Sequence, residues 1–564
     1  MSSLRIHLGE LALEEKLITQ EQLATALEEQ KKTGEKIGNI FVKLGYIKEN
    51  DLHKLLASHL SIPFVELKSY PIDLDRSKTL PERLARHHRA IFLSKNDGSN
   101  FIGMVDPQNI FAIDEIRRFF QSPISIALIN EKECLDYLDL IYRRTDEINR
   151  FASELSNQIK PGLDLEHLDK ELGHDDIPVS KLLRSLFEDA AQINASDIHI
   201  EPEEKLIRIR YRIDGVLQEH IVNEVRAAPI LAQRLKILSH LNIMERRLPQ
   251  DGHFSLKIKN RQFDIRLSTM PTQYGESIVM RLLEQNIKIL SIDELEMPET
   301  YTQQLRELLN APHGMVLATG PTGSGKTTTL FSLLNELNSP ELKIITIEDP
   351  VEYHFPRLNQ IQVNPTINLT FSTILRSALR QDPDVLMVGE IRDSETAAIA
   401  LRSAMTGHLI LSTLHTNDTI STVSRLLDLG CEPYLIASAL RVIISQRLLR
   451  RLCHNCKIDY SPNLIEKTWL AKMGAPQDAH FQIGKGCNYC NGTGYRGRFA
   501  IFEILILDSN MINALRENNL SNFIQLAEKS RTPLWQSALQ AAIHHKTSLS
   551  EVIPFAMLLE TGDS

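Results

Sequence analysis

Hydrophobic positions in the first sixty residues recur at an offset of 29: Leu8-Gly9, Leu23, Leu27 and Gln30 return as Ile37-Gly38, Leu52, Leu56 and His59. Leucines four apart lie on one face of a helix. Thr19 and Gln22 have the spacing of a capping box at the start of the second helix of the first unit. Each unit therefore predicts a helical hairpin, and the pair predicts a shared core. Residues 61 to about 142 mix short apolar runs with turns such as FIGMVDPQN, the pattern of a small α/β unit. Residues 145–178 are polar and acidic, with Pro161-Gly162 and Asp175-Asp176, and read as a linker.

From 180 to about 285 the period changes to two. Ile207, Ile209, Tyr211 and Ile213 alternate with Arg208, Arg210 and Arg212, which puts three arginines on one face of a strand ending at the turn Asp214-Gly215. A second alternating pair, HFSLKIKNRQFDIRLS, turns at Asn260-Arg261 and carries Arg266 on its polar face with Asp264 and Ser268. From 313 onward, GMVLATG, KIITIED, VLMVGE and HLILSTLH are apolar almost throughout and are separated by helical stretches. Strands buried on both faces and alternating with helices predict a parallel sheet. Residues 450–500 are rich in Cys, Gly and Arg, and the last sixty read as helices.

Length and composition sharpen this picture. A chain of 564 residues predicts three or four domains, and 42% apolar with 24% charged residues is ordinary for globular protein. The net charge of -9 argues against a nucleic-acid binder. No run is long and apolar enough to span a bilayer, and the acidic N-terminus lacks a signal-peptide core, so a cytosolic protein is expected. Six cysteines are too few for a disulfide scaffold.

Two motifs carry chemistry. Gly320-Pro321-Thr322-Gly323-Ser324-Gly325-Lys326-Thr327-Thr328 follows an apolar strand and opens a helical stretch, the context of a P-loop. Glycines let backbone N–H groups wrap phosphates, Lys326 is placed to reach the β- and γ-phosphates, and Thr327 to ligate Mg²⁺. Three further strands end in polar groups: Glu348, Asp349 and Glu352; Glu390; and His415, Thr416, Asn417 and Asp418. Ligands of parallel α/β sheets bind outside the carboxyl ends of the strands, so these groups should converge on the P-loop. The second motif is Cys453-x2-Cys456 with Cys487-x2-Cys490, the spacing of a closed, structural four-thiolate zinc site. Gly486, Gly492, Gly494, Arg496 and Arg498 suit knuckle turns and an exposed surface around it. Cys134 and Cys431 read as ordinary semi-buried cysteines.

On these residues the chain resembles the secretion ATPases of the GspE/PilB/MshE group. Thr346–Glu352 resembles the family's aspartate box, Leu386–Glu390 its Walker B segment, Gly407–His415 its histidine box and the four cysteines its zinc module. Ser196–Pro202 and the stretch from Arg266 to Arg281 resemble its second N-terminal domain. The resemblance implies an α/β protein with a RecA-like P-loop ATPase core at 291–564, zinc module 450–500 included. Before the core it implies a helical and α/β first domain at 1–145, a linker at 146–178 and a PAS-like α+β domain at 179–290. It implies Glu348 as general base, Glu390 as the Walker B glutamate, a role for His415 beside them, and Arg266 and Arg281 as arginine fingers. It further implies ATP, Mg²⁺ and Zn²⁺, and a homo-hexamer peripheral to the inner face of the cytoplasmic membrane. That ring would turn a membrane platform protein for type II secretion or type IV pilus assembly. The zinc module points to assembly or secretion rather than retraction. A nucleic-acid translocase is the alternative motor, and a nucleotide-binding signalling module the alternative outside motors.

The N-terminal repeat resembles the tandem motif of MshE-like domains that bind cyclic di-GMP. Leu8, Gly9, Gln30, Lys36 and Gly38 are the candidate contacts. The first unit departs from the motif at His7, Ala12 and Lys16, and the second at His59. A helical docking module is the alternative reading of the repeat.

Overall fold

A computed structural model of the chain describes residues 11–158 and 178–560, except 14, 16, 34–36, 48, 68–69, 71, 97–98, 143–144, 259, 286–288, 312 and 477. By its contacts the chain divides into two compact units, one of residues 1–194 with Cys487–Asn491 and one of residues 195–486 with 492–564.

The first unit begins with helices Gln20–Thr33, Ile37–Lys43 and Glu49–His59. The Thr19 N–H donates to Gln22 Oε1 at 2.9 Å and the Gln22 N–H to Thr19 Oγ1 at 3.3 Å, so the expected capping box forms. Leu23 and Leu56 pack on a core of Ala26, Ile40, Phe41 and Leu52. Leu27 is 41% exposed, because Ala26 takes the inward position one turn after Leu23. Leu8, Gly9 and Lys36 lie outside the described residues; Gln30 sits on the first of these helices and Gly38 is buried at the start of the second.

The expected α/β unit follows as a three-stranded sheet. Antiparallel β1 (Ala90–Asn96) and β2 (Ser99–Met104) are joined by β3 (Ile124–Leu128), parallel to β2 after a crossover helix at Ile110–Phe120. The segment expected as a linker starts instead with a helix, Thr145–Gln158. Ile148, Ala152 and Leu155 form a buried stripe on it, and it packs against helix Pro178–Gln192. So narrow a stripe among charged residues leaves the composition polar, which hides the helix.

The second unit holds two large sheets. The antiparallel one has six strands: β4 (Asp197–Pro202), β5 (Ile207–Ile213), β6 (Val216–Val222), β7 (Gln250–Ile258), β8 (Arg261–Thr272) and β9 (Gly275–Glu284), in the order β6-β5-β4-β9-β8-β7. On β5, Ile207, Ile209 and Tyr211 are buried while Arg208, Arg210 and Arg212 share the opposite, half-buried face, as the alternation predicts. Asp214 (φ 49°) and Gly215 (φ 86°) make the two-residue turn into β6. The second hairpin turns earlier than Asn260-Arg261, since Arg261 already pairs with Ile258.

The other sheet is built from β10 (Gly314–Thr319), β11 (Ile344–Glu348), β12 (Leu358–Gln362), β13 (Val385–Val388), β14 (Leu409–Leu414) and β15 (Leu440–Leu452). A short ribbon of β16 (Lys457–Tyr460) and β17 (Phe481–Gly484) intervenes before β18 (Tyr495–Ile506) completes it. The order is β12-β11-β13-β14-β10-β15-β18, parallel throughout except β18. Every residue of β10, β11, β13 and β14 is buried, as apolar runs in a two-faced sheet require. Among the described residues no helix is long and apolar enough to cross a membrane.

Candidate active site and metal centre

The parallel sheet aligns its polar strand ends along one edge. Its order puts the ends of β11, β13, β14 and β10 side by side, so Glu348, Glu390, His415 and the 320–325 loop become neighbours in that sequence. Helix Lys326–Leu337 starts directly after this loop. Gly325 caps it in the left-handed region at φ 90°, and a Cβ there would come within 2.9 Å of Gln446 Nε2. The Gln446 side chain in turn donates to Ser324 O at 2.8 Å, which braces the loop from β15.

Lys326 is buried, and its Nζ donates to Gly320 O at 2.8 Å and Pro321 O at 3.1 Å. Burial pulls its pKa below the usual lysine value, with Glu390 opposing that pull. Pro321, Thr322 and Gly323 are exposed, as is Thr327, with Thr328 half-buried beside it. Ser324 Oγ is buried with no hydrogen-bond partner. A folded-back ammonium, an orphaned hydroxyl and an exposed Thr327 on a helix N-terminus fit a phosphate with its Mg²⁺.

Glu348 ends β11 at 4% exposure. Its Oε1 accepts from Thr346 Oγ1 at 2.6 Å and from Gln360 Nε2 at 3.1 Å. Burial nevertheless dominates and pushes its carboxyl above the ordinary range. Glu390 behaves in the opposite way. Burial raises its pKa, but the hydrogen bond and charge of Arg392, with His415 behind them, outweigh burial and hold the carboxyl below its ordinary value. His415 Nε2 lies 3.2 Å from Glu390 Oε2. The loop carrying His415 is pinned to β10, since Thr416 N–H donates to Thr319 Oγ1 at 3.0 Å.

The predicted arginines lie on the antiparallel sheet. In register across it, Arg212, Asp197, Arg281, Arg266 and His253 stand in one row on β5, β4, β9, β8 and β7. Arg281 Nε donates to the buried Asp197 at 3.0 Å, and Arg212 Nε lies 3.6 Å from its other oxygen. A cavity of about 610 Å³ is lined by Asp197, His253, Arg266 and Arg281 on one side and by Pro350 and Val351, just after Glu348, on the other. The arginines thus face the aspartate-box segment.

Several residues of the site escaped the sequence reading. Gln446 and Arg447 sit on β15 behind the P-loop; Arg447 Nη1 donates to Gln446 O at 3.0 Å and its Nη2 approaches Asn417 Oδ1 at 3.2 Å. The signal was a Gln-Arg pair inside the apolar run VIISQRLL, polar groups that a buried strand keeps only with partners. Asp197 and Gln360 gave no such signal, because their roles depend on which strands lie next to them.

The sulfur atoms of Cys453, Cys456, Cys487 and Cys490 all lie within 4.8 Å of one another. Cys487 and Cys490 sulfurs are 3.7 Å apart, too far for a disulfide and close to the ~3.8 Å edge of a tetrahedral four-thiolate zinc site. An all-sulfur donor set with closed geometry fits Zn²⁺ in a structural role. The flanking backbone is drawn tight: Cys453 N–H donates to Gly494 O at 2.9 Å, and a Cβ on Gly486 would meet Gly492 O at 2.3 Å.

Residues 173–554 match the family model described as type II/IV secretion system protein. The chain belongs to this family. As a secretion-family ATPase it also carries a segment, 60–148, that matches the MshEN domain. It is 39% identical over 561 residues to the type IV pilus assembly ATPase PilB of Myxococcus xanthus, covering 97% of this chain and 98% of that one. To the type II secretion system protein E of Xanthomonas campestris it is 36% identical, covering 96% and 97%. The structure of the pilus retraction motor PilT with bound ADP is similar at 27% identity and a TM-score of 0.46, over 66% of this chain and 96% of that one.

Proposed function

We propose that this secretion-family ATPase hydrolyses ATP and, as a homo-hexamer held to inner-membrane partners, drives type IV pilus assembly or type II secretion. One observation carries the reading: Glu348, Glu390 and His415 end adjacent parallel strands beside the Lys326 loop. Lys326 would leave the carbonyls of Gly320 and Pro321 for the β- and γ-phosphates. Thr327, with Glu390 through water, would hold Mg²⁺, which neutralises developing phosphate charge when bound. Glu348, its carboxyl raised by burial, is suited to take a proton from the attacking water as the new O–P bond forms and the β–γ bridge breaks, releasing ADP and phosphate. Glu390 stays ionised, and His415 holds its carboxylate in place. Arg266 and Arg281 supply positive charge from the second sheet, Arg281 after leaving Asp197. The four cysteines hold zinc structurally.

The test uses purified full-length protein. Glu348→Gln should retain ATP and lose turnover, while Lys326→Ala should lose ATP itself. Wild-type turnover in Glu348→Gln would overturn the assignment. Which machine is served is read in the native cell, by whether Glu348→Gln abolishes surface pili or export of secreted enzymes.

The MshEN match at 60–148, which begins after the candidate contacts Leu8, Gly9, Gln30, Lys36 and Gly38, favours a second reading, a motor gated by cyclic di-GMP as in an MSHA-type pilus. Calorimetric titration of the full chain decides it. Saturable binding supports gating, and no heat at high concentration makes the N-terminal unit a docking module.

A further inference from the structure

β18 carries a carboxylate inside the protein. Glu503 is 2% exposed, in a run of otherwise apolar residues. Its Oε1 accepts from Thr419 N at 2.9 Å, Thr419 Oγ1 at 2.6 Å and Arg531 Nη1 at 2.7 Å, and its Oε2 accepts from Leu534 N at 3.2 Å. Thr419 and Leu534 are the first residues of helices Thr419–Asp428 and Leu534–Ile543, so two helix N-termini converge on one negative charge. A buried charge is tolerated when it is paired and its lone pairs are filled, and both conditions hold here.

Thr419 is also the far end of the segment that carries His415. Between them, Thr416 is tied to Thr319 at the mouth of the P-loop, Asn417 O accepts from Ser445 Oγ at 3.2 Å, and Asp418 lies 4.0 Å from Arg531 Nη1. Residues 415–419 thus form a short strap with Glu390 at one end and Glu503 at the other. We propose that Glu503, charge-balanced by Arg531, is a positioning residue for hydrolysis: it anchors this strap so that His415 meets Glu390 in register with the P-loop. The proposal rests on the reading that His415 and Glu390 serve catalysis. Glu503 itself touches no reacting atom.

The experiment is a double-mutant cycle in the full-length protein, reading kcat, ATP affinity and melting temperature. Glu503→Gln keeps the shape and removes the charge. It should lower kcat on the order of tenfold to a hundredfold, as displaced catalytic groups do, with ATP affinity held within about twofold. Combined with His415→Ala, it should add nothing further to the loss of kcat, because both act through one contact. Additive losses, or affinity falling in step with kcat, overturn the proposal. A His415→Ala protein with wild-type kcat would instead overturn the catalytic reading beneath it. Thr419→Val, which removes one donor and leaves the Glu503–Arg531 pair intact, covers the case in which Glu503→Gln does not fold. It should show a smaller fall in kcat that is again non-additive with His415→Ala, and wild-type kcat in Thr419→Val would count against the proposal.

Discussion

Glu348 and Glu390 end neighbouring strands, yet their surroundings push their protonation in opposite directions. Glu348 has neutral donors, Thr346 and Gln360 among them, against the cost of burial and the nearby charge of Glu352; Glu390 has Arg392 and His415. Both pH dependences follow in sign. The folded pKa of Glu348 is raised, so its contribution to stability is present at low pH and lost as pH rises through that value. Glu348→Gln should therefore melt higher than wild type at neutral pH, with the gap closing in acid, while kcat falls by roughly 10²- to 10⁴-fold. The folded pKa of Glu390 is depressed, so its contribution is present above the ordinary carboxylate range and lost in acid. Glu390→Gln should melt lower at neutral pH and match wild type in acid. Scanning calorimetry across pH reads both. The identities of these two carboxylates were legible in the chain, because each ends an apolar run. Their opposite tuning was not, because it depends on the burial of Glu348 in the packed sheet and on Arg392 folding back onto Glu390 with His415 beside it.

At the scale of elements, strict patterns were readable and mixed ones were not. β10, β11, β13 and β14 are apolar because both faces are covered, so their runs stand out. β12 is a polar edge strand and β15 carries Gln446, Arg447, Arg450 and Arg451, so neither reads as core from its residues alone. The P-loop adds a backbone test. Gly325→Ala must hold a Cβ at φ 90° against Gln446 Nε2, which costs roughly 1–3 kcal/mol of strain. It should weaken ATP binding and lower the melting temperature together, measured by nucleotide titration and calorimetry. The knuckle adds a metal test. The protein should carry one zinc per chain, and chelation or Cys456→Ser should release it and destabilise the β16–β17 region, seen as faster amide exchange there.

At the scale of the whole molecule, the arginine row and the segment after Glu348 belong to different sheets of the second unit, and Arg266, Arg281, Pro350 and Val351 line one cavity. Arg281→Ala should lower kcat far more than it weakens ATP binding, by roughly 10³-fold for a finger, and Arg266→Ala should act in the same direction. Comparable losses of binding would mark them as substrate clamps instead. For a ring, specific activity should rise with protein concentration as hexamers form, followed by light scattering alongside turnover.

The chain by itself determined the P-loop, the strand-end acids, the paired cysteines and the alternating arginine strand, since each is a local pattern that one element can express. Only the tertiary structure decided the rest. Strand order made Glu348, Glu390 and His415 neighbours; register put Asp197 between Arg212 and Arg281; and β18 brought Glu503 beneath Thr419. These contacts join residues tens to hundreds of positions apart, and a hydrogen bond of 3 Å depends on how whole elements pack, which no local period records.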